Sequence, residues 1–510
     1  MLNLWYNQVG FYRRFNNTER MTTMKKLITL LLLSAMLLST FASCGESVPN
    51  TDETTEGTSD TPAAEEVLET EAETEITHGL PEKDYGGADY VGLIRTSKLT
   101  HFTAEEMTGE ALNDAVYERN NTVAEEFGVT LGFVNVEDNS GTFNNTVSQS
   151  VMAQDAAYDV IAPDYWWATE VNGWFLNLME MEHLDLTKPW WCIGWNDAAT
   201  INNMLPGAVG FYTLDMIQNM NMIYFNKNLY DSLSFDAEYG LSGLYDTVRS
   251  GDWTYDLFTK MASAAAIDLN GDGKMTEGDQ FGTLSDLQSG RALLWSSGLE
   301  LCYRDDAGEL VATLATEENY DIFSSVLTFY QDNTNLYKGN NNAIFIADQA
   351  LFLMSAIGNA VGLRDMESDF GVLPYPKYNP EDEAYRNRNF GSSYFAIPIT
   401  AKNMEMSAVV LEAQNFYSYR DVRPTYYETI LKDKVARDAE TAEMLDLVVD
   451  TCYIDPFFVY GTNLSYVADQ PFSLIESKSD TYMSKMQALE KAVGKQLTKL
   501  IEKIQPIELP

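Results

Sequence analysis

VTLGFVNVEDNSGTFNNTVSQSVMAQDAAYDVIA, residues 129–162, decides the fold. Val129 to Val136 is rich in β-branched residues and partly alternating, the pattern of a strand. Phe143 to Gln154 reads as a helix, and Tyr158 to Ala162 as a short apolar strand. Toward the N-terminus, Gly86-Gly87 form a turn ahead of another apolar run, Ala88 to Ile94. Between the two runs, Glu110 to Phe127 carries Leu112, Ala115, Val116, Val123 and Phe127 at helical spacing, and Gly128 stops it. The order βαβαβ predicts an α/β fold, a parallel sheet with helices on its faces.

Further out, the ends and the composition set bounds. Lys25 and Lys26 precede an apolar run from Leu27 to Leu38, then small and polar residues lead to Cys44, the order of a secretion signal. The run is about a dozen residues, short of the roughly 18 that span a bilayer. Translation starts at Met1, Met21 or Met24 on this reading, since residues 1–20 add nothing to the signal. Phe41-Ala42-Ser43-Cys44 resembles the lipobox of bacterial lipoproteins, with Phe41 where that motif usually has Leu, and the resemblance implies lipidation of Cys44. Residues 1–43 are thus the signal region and 44–80 a lipid-anchored linker. From Glu46 to His78 the linker is Thr, Glu, Asp, Ser, Pro and Ala without Lys or Arg, too polar to offset its conformational entropy. It is expected to be disordered, with a reach of about 30 Å.

The whole chain has 33 Lys and Arg against 76 Asp and Glu, a formal net charge of −43. That balance excludes nucleic acid and anionic lipid surfaces as partners, because both need basic patches to displace counterions. Cys192, Cys302 and Cys452 are the thiols of the body, without CxxC or zinc spacing, and leave three possible pairings open.

Tyr158-Asp159-Val160-Ile161-Ala162, Gly207 to Tyr212 and Met222-Ile223-Tyr224-Phe225-Asn226-Lys227-Asn228-Leu229 resemble, in order, three blocks of the extracellular solute-binding proteins of sugar-binding ABC importers. Asp252 to Phe258, Asp369 to Pro376 and Tyr394 to Asn403 resemble three more. The resemblance covers most of residues 85 to 430. It implies a two-lobed, periplasmic-binding-protein-like type II fold with hinge strands crossing near Gly210 and Ile397. Lobe one is then 83–208 plus 398–440, and lobe two 209–397 plus 441–510. The implied function is capture of a carbohydrate, as a lipid-anchored monomer on the outer face of the cell membrane, for the permease subunits of an ABC importer. Leu489 to Ile504 is amphipathic and reads as a helix docked on a lobe face.

Nine tryptophans and 29 tyrosines supply flat amphipathic rings. Asp164, Tyr165, Trp166 and Trp167 follow the strand ending at Ala162, at the carboxyl end where open α/β sheets bind ligands. Aromatic faces suit the C–H face of a sugar and carboxylates or amides suit its hydroxyls. Trp295 with Arg291 is a further candidate, as is Tyr394 beside Ser392 and Ser393. The resemblance also points to Asp215, Gln218 and Asn219 for hydroxyl binding. Residues 354–360 resemble a turn that in those proteins ends in Trp. Here that turn lacks the Trp, and Asn359 is its best substitute. Trp190, Trp191 and Trp195 read as alternatives for lobe-one packing.

Asp268, Asn270, Asp272, Lys274, Thr276 and Asp279 occupy positions 1, 3, 5, 7, 9 and 12 of an EF-hand-like loop, with Gly273 at position 6. These are hard oxygen donors suited to calcium, with Lys274 giving its carbonyl. A bare surface loop is the competing reading. For the whole chain, a secreted glycoside hydrolase and a glycan adhesin or sensor are the competing classes. The hydrolase needs two positioned carboxylates, and no HExxH, GxSxG or P-loop motif is present.

Overall fold

The computed structural model describes residues 76–165, 173–332, 336–337, 341–431 and 439–504. The signal region, Cys44, the linker up to residue 75, and Trp166 and Trp167 lie outside the described residues. Among the described residues no helix is long and apolar enough to cross a membrane.

Lobe one begins with β1 (Ala88–Arg95), α1 (Ala111–Phe127), β2 (Val129–Val136), α2 (Ser140–Ala153) and β3 (Val160–Ala162). The Glu110 side chain accepts from the Leu112 and Asn113 N–H groups and starts α1. Gly128, at φ 59°, ends it in the left-handed conformation that glycine adopts without strain. Both neighbours of β1 run parallel to it, Ala88 opposite Val129 and Gly92 opposite Val160. The three-stranded order β2-β1-β3 is the expected βαβαβ unit.

Lobe two contains β4 (Asn221–Asn226), α3 (Tyr255–Ala265), β5 (Phe281–Ser285), α4 (Leu287–Ser296), β6 (Cys302–Arg304), β7 (Leu310–Ala312), α5 (Glu317–Gln331), β8 (Leu336–Tyr337), β9 (Ala350–Ala356) and β10 (Phe370–Leu373). Its main sheet runs β10-β4-β9-β5-β8. β4 is antiparallel to β9 and β10, whereas β5 is parallel to β8 and β9. Every residue of β4 is buried, as a central strand covered on both faces requires. A Cβ on Gly282 would fall 1.8 Å from the Ala262 carbonyl oxygen, so the approach of α3 to β5 needs glycine.

The chain returns to lobe one in α6 (Met404–Tyr417), which continues through a π-helical turn into α7 (Arg423–Leu431). α6 packs on α1, and its buried Glu412 takes the indole N–H groups of Trp190 and Trp191 at 2.7 and 2.9 Å. Buried Arg119 of α1 donates to the carbonyls of His101, Phe102 and Tyr212, each at 3.1 Å, and stacks on the Tyr212 ring. α8 (Ala439–Asp450) lies against β10, and α9 (Tyr482–Lys503) against β7 and α5. The terminal amphipathic helix therefore starts two turns before Leu489. Tyr482 extends it, buried, with its hydroxyl on the Leu314 carbonyl.

The segments joining the lobes are not ladders. Ile161 pairs with Ala396, Ala208 with Phe395, Phe175 with Pro398, Trp191 with Gly210 and Met220 with Asn389, each as an isolated antiparallel bridge. Near the crossings expected at Gly210 and Ile397, the segments therefore meet as isolated bridges with further backbone hydrogen bonds between them. Cys192, Cys302 and Cys452 are all buried free thiols, and the Cys192 and Cys452 side chains touch.

Candidate functional site

The carboxyl ends of the lobe-one strands carry the first half of the site. Arg95 ends β1 and is buried. Its guanidinium donates to Asp164 Oδ2 at 2.8 Å, Asp215 Oδ2 at 3.0 Å and Ser393 Oγ at 2.9 Å. Asp215 begins a single helical turn and is fully buried. Its carboxylate also accepts from the Thr213 hydroxyl and from the Ser393 N–H and hydroxyl, with Lys98 Nζ at 3.5 Å. Burial would raise the carboxyl pKa. Lys98, Arg95 and His101 outweigh it and hold Asp215 well below the usual carboxylate range. Burial conversely pushes His101 down to about 4.

Next to this knot, the Asn219 amide donates to the Gly391 carbonyl, and Asn389 donates to the Met216 carbonyl at 2.8 Å. Tyr165 donates to the Phe390 carbonyl at 3.1 Å and packs between Trp195 and Phe458. Tyr394 is buried against Trp195, and a Cβ on Gly207 would meet its ring at 1.9 Å. The structure therefore brings Asp164, Tyr165, Asp215, Gln218, Asn219 and Tyr394 together at the crossing, where Asp215 and Tyr394 are interior packing. Asp164, Gln218 and Asn219 remain half-buried.

The lobe-two half lies at the carboxyl ends of parallel β5 and β9. A cavity of about 260 Å³ is lined there by Asp286, Asn341, Asn342, Ser355 and Asn359, with Leu353 and Met354. Asn342 and Asn359 form a reciprocal amide pair at 2.9 and 3.0 Å. Gly358, next to Asn359, backs onto Gln218, which joins this wall to the crossing. On α4, Arg291 Nη1 is 3.5 Å from Asp469 Oδ1, whereas Trp295 is 3% exposed and belongs to the helix's packed side. Sequence reading missed Arg95, Lys98, Asp286 and Asn342. Arg95 carried a usable signal, a charged residue at the carboxyl end of the first strand.

The loop from Asp268 to Asp279 is closed at its base by pairing of Ile267 with Gln280. Asp268 accepts from the Gly271 and Gly273 N–H groups at 2.7 Å each, Asn270 from Asp272 and Asp272 from Lys274 at 2.8 Å each. Asp279 accepts from the N–H groups of Leu269 and Thr276, and the Thr276 hydroxyl donates to it at 3.0 Å. Bonds from Thr276 help hold its carboxyl below the usual range. The donors are all oxygens, as calcium requires. Among the described residues, however, no three carboxylate, His or Cys side chains are already gathered as a metal site.

No family model matches the chain, and no curated protein is similar to it in sequence. Solved structures are similar in fold. A cyclo/maltodextrin-binding protein complexed with maltotetraose superposes with a TM-score of 0.52 at 14% identity, covering 82% of this chain and 98% of that one. The extracellular solute-binding protein of Staphylococcus aureus in complex with maltose gives 0.53 at 11% identity, covering 82% and 99%. The cyclic α-maltosyl-1,6-maltose binding protein of Arthrobacter globiformis gives 0.50 at 14%, covering 81% and 100%. The chain has the two-lobed α/β fold of these solute-binding proteins.

Proposed function

We propose that this chain is an extracellular solute-binding lipoprotein, anchored through Cys44, that captures a carbohydrate between its lobes for an ABC importer. The observation that carries the reading is the junction of two polar walls. Parallel strands of both lobes end at the same crossing, with carboxylates, amides and hydroxyls available to sugar hydroxyls. The structures of similar fold, bound to maltotetraose and maltose, support the solute class. Trp166 and Trp167, next in sequence after Tyr165, are assigned the stacking role. A binding protein is favoured over a glycosidase because the buried Asp215 carboxyl, paired with Arg95, is held well below the usual range instead of serving as an acid.

Calorimetry against a broad glycan panel tests this. One class is expected to bind unchanged, and Trp166→Ala or Trp167→Ala to weaken it by about 5- to 150-fold, the equivalent of about 1 to 3 kcal/mol. Binding of peptides or polyamines with no glycan binding would remove the carbohydrate assignment.

The reading includes one structural calcium in the 268–279 loop, held by Asp268, Asn270, Asp272 and Asp279 with the Lys274 carbonyl and Thr276. Its support is the ligand spacing and the curled backbone. On binding, the ion would draw the three carboxylates inward.

A further inference from the structure

Arg388 lies in the crossing segment, one residue before the Met220–Asn389 bridge, and is 3% exposed. Neither terminal nitrogen of its guanidinium has a hydrogen-bond partner or contact with solvent. Its guanidinium carbon stacks on the Phe458 ring, 4.0 Å from the centroid, with Tyr165, Tyr375, Arg291 and Asp469 nearby. Burial pushes its pKa down to about 10, so it stays charged at neutral pH, and the charges of Arg291 and Asp469 reach it. Arg291 repeats the anomaly, since its Nε is buried without a partner while Nη1 leans on Asp469. Trp195, packed on Tyr165 beside them, leaves its indole N–H unpaired as well. On these three side chains the unmet atoms are donors, and the one acceptor beside them, Asp469 Oδ1, is buried without a hydrogen bond and lies 3.5 Å from Arg291.

An unpaired buried charge is among the costliest arrangements a fold can keep. Buried polar groups in folded proteins nearly always have partners, so four unmet donor atoms beside the single acceptor Asp469 point to an acceptor the protein does not supply. Asp469 balances one of the two arginines and leaves one positive charge. This is a distinct spot in a chain of formal charge −43. The planar fork of a guanidinium matches a carboxylate in two parallel hydrogen bonds, a match that neutral hydroxyls meet only singly.

We infer that Arg388, with Arg291 beside it, is a carboxylate subsite, and that the captured carbohydrate carries a uronic acid. The inference rests on the carbohydrate reading above. Opening of the lobes exposes the guanidinium, and closing on the sugar buries the ion pair formed with it.

The test compares uronic-acid oligosaccharides with the same oligosaccharides reduced at the carboxyl to neutral sugars, by calorimetry on the full mature chain. The acidic form should bind about 10- to 100-fold more tightly, as expected for a charge-assisted bond to a buried partner. Arg388→Met should bring the acidic sugar down to the neutral one's affinity, and Arg388→Lys should restore part of the difference. Because the group removed is unpaired, ligand-free Arg388→Met should melt no lower than wild type, whereas a purely structural arginine would lower the melting temperature. Arg291→Gln, at a partly exposed position, gives a second variant that should narrow the acidic preference. Equal affinity for acidic and neutral sugars, or an unchanged ratio in both variants, overturns this inference and leaves carbohydrate capture standing. Stabilisation by sulfate or chloride without any acidic-sugar preference overturns it too, by assigning the donors an inorganic anion. Failure of every sugar to bind overturns both readings.

Discussion

Glu412 illustrates how far a single residue's role depends on distant sequence. The double tryptophan at 190 and 191 is legible as packing, but the carboxylate that takes both indoles lies more than 200 residues later and has no local signature. Burial, opposed by the two indole bonds, pushes the Glu412 carboxyl up to about 7 from an ordinary value of 4.5. Between those pH values the folded state holds a proton that the unfolded chain has lost. The associated stability is therefore complete below about pH 4.5 and disappears as pH rises through 7. Replacing Glu412 by Gln should remove about 2 to 4 kcal/mol of this pH dependence. Asp455, also raised to about 7 by burial, keeps its own share in the same window. Urea melts at pH 5 and pH 8 check it, and equal slopes in wild type and variant would refute the assignment. Asp215 was the reverse case. Its position in the sequence suggested a sugar contact, yet Arg95, Thr213 and Ser393 saturate it, because the strand end that carries Arg95 folds directly onto it.

At the level of elements, the first βαβαβ unit was readable because β1 and β3 carry buried apolar runs, β2 is rich in β-branched residues, and Gly128 stops α1. The crossings were expected near Gly210 and Ile397, where the structure shows isolated bridges and no ladder. One residue pair makes each bridge, and no periodicity marks so short a contact. The last helix was placed two turns too late because Tyr482 and Met486 are buried by β7 and α5, partners that its own pattern does not reveal. In the 268–279 loop, the side-chain to backbone bonds that curl the chain are those its Asp and Asn residues make when spaced two apart. If the loop takes calcium, melting should shift upward with metal by the equivalent of about 2.7 kcal/mol at 100-fold above the dissociation constant. Asp272→Ala should abolish the shift, and an identical melt of variant and wild type in calcium and in chelator would count against the site.

For the molecule as a whole, two lobes joined by crossing segments suit rigid-body closure around a solute. Small-angle scattering should show the radius of gyration fall on adding the bound glycan, and an unchanged profile at saturating ligand would exclude closure. The two-lobed α/β plan was legible from the strand order and the resemblance, while the cluster around Arg388 was not. It assembles from segments near residues 165, 195, 291, 388, 458 and 469, which meet only after folding. The same scattering of parts governs how the protein is made. β1 starts at residue 88, but α6, which packs on α1, starts at residue 404. A chain delivered N-terminus first, from a ribosome or through an export channel, presents α1 long before α6, the helix that packs on it. Contacts so far apart in sequence form slowly. The face of α1 that α6 covers must therefore wait exposed, which leaves the nascent chain dependent on whatever shields apolar surface along the way.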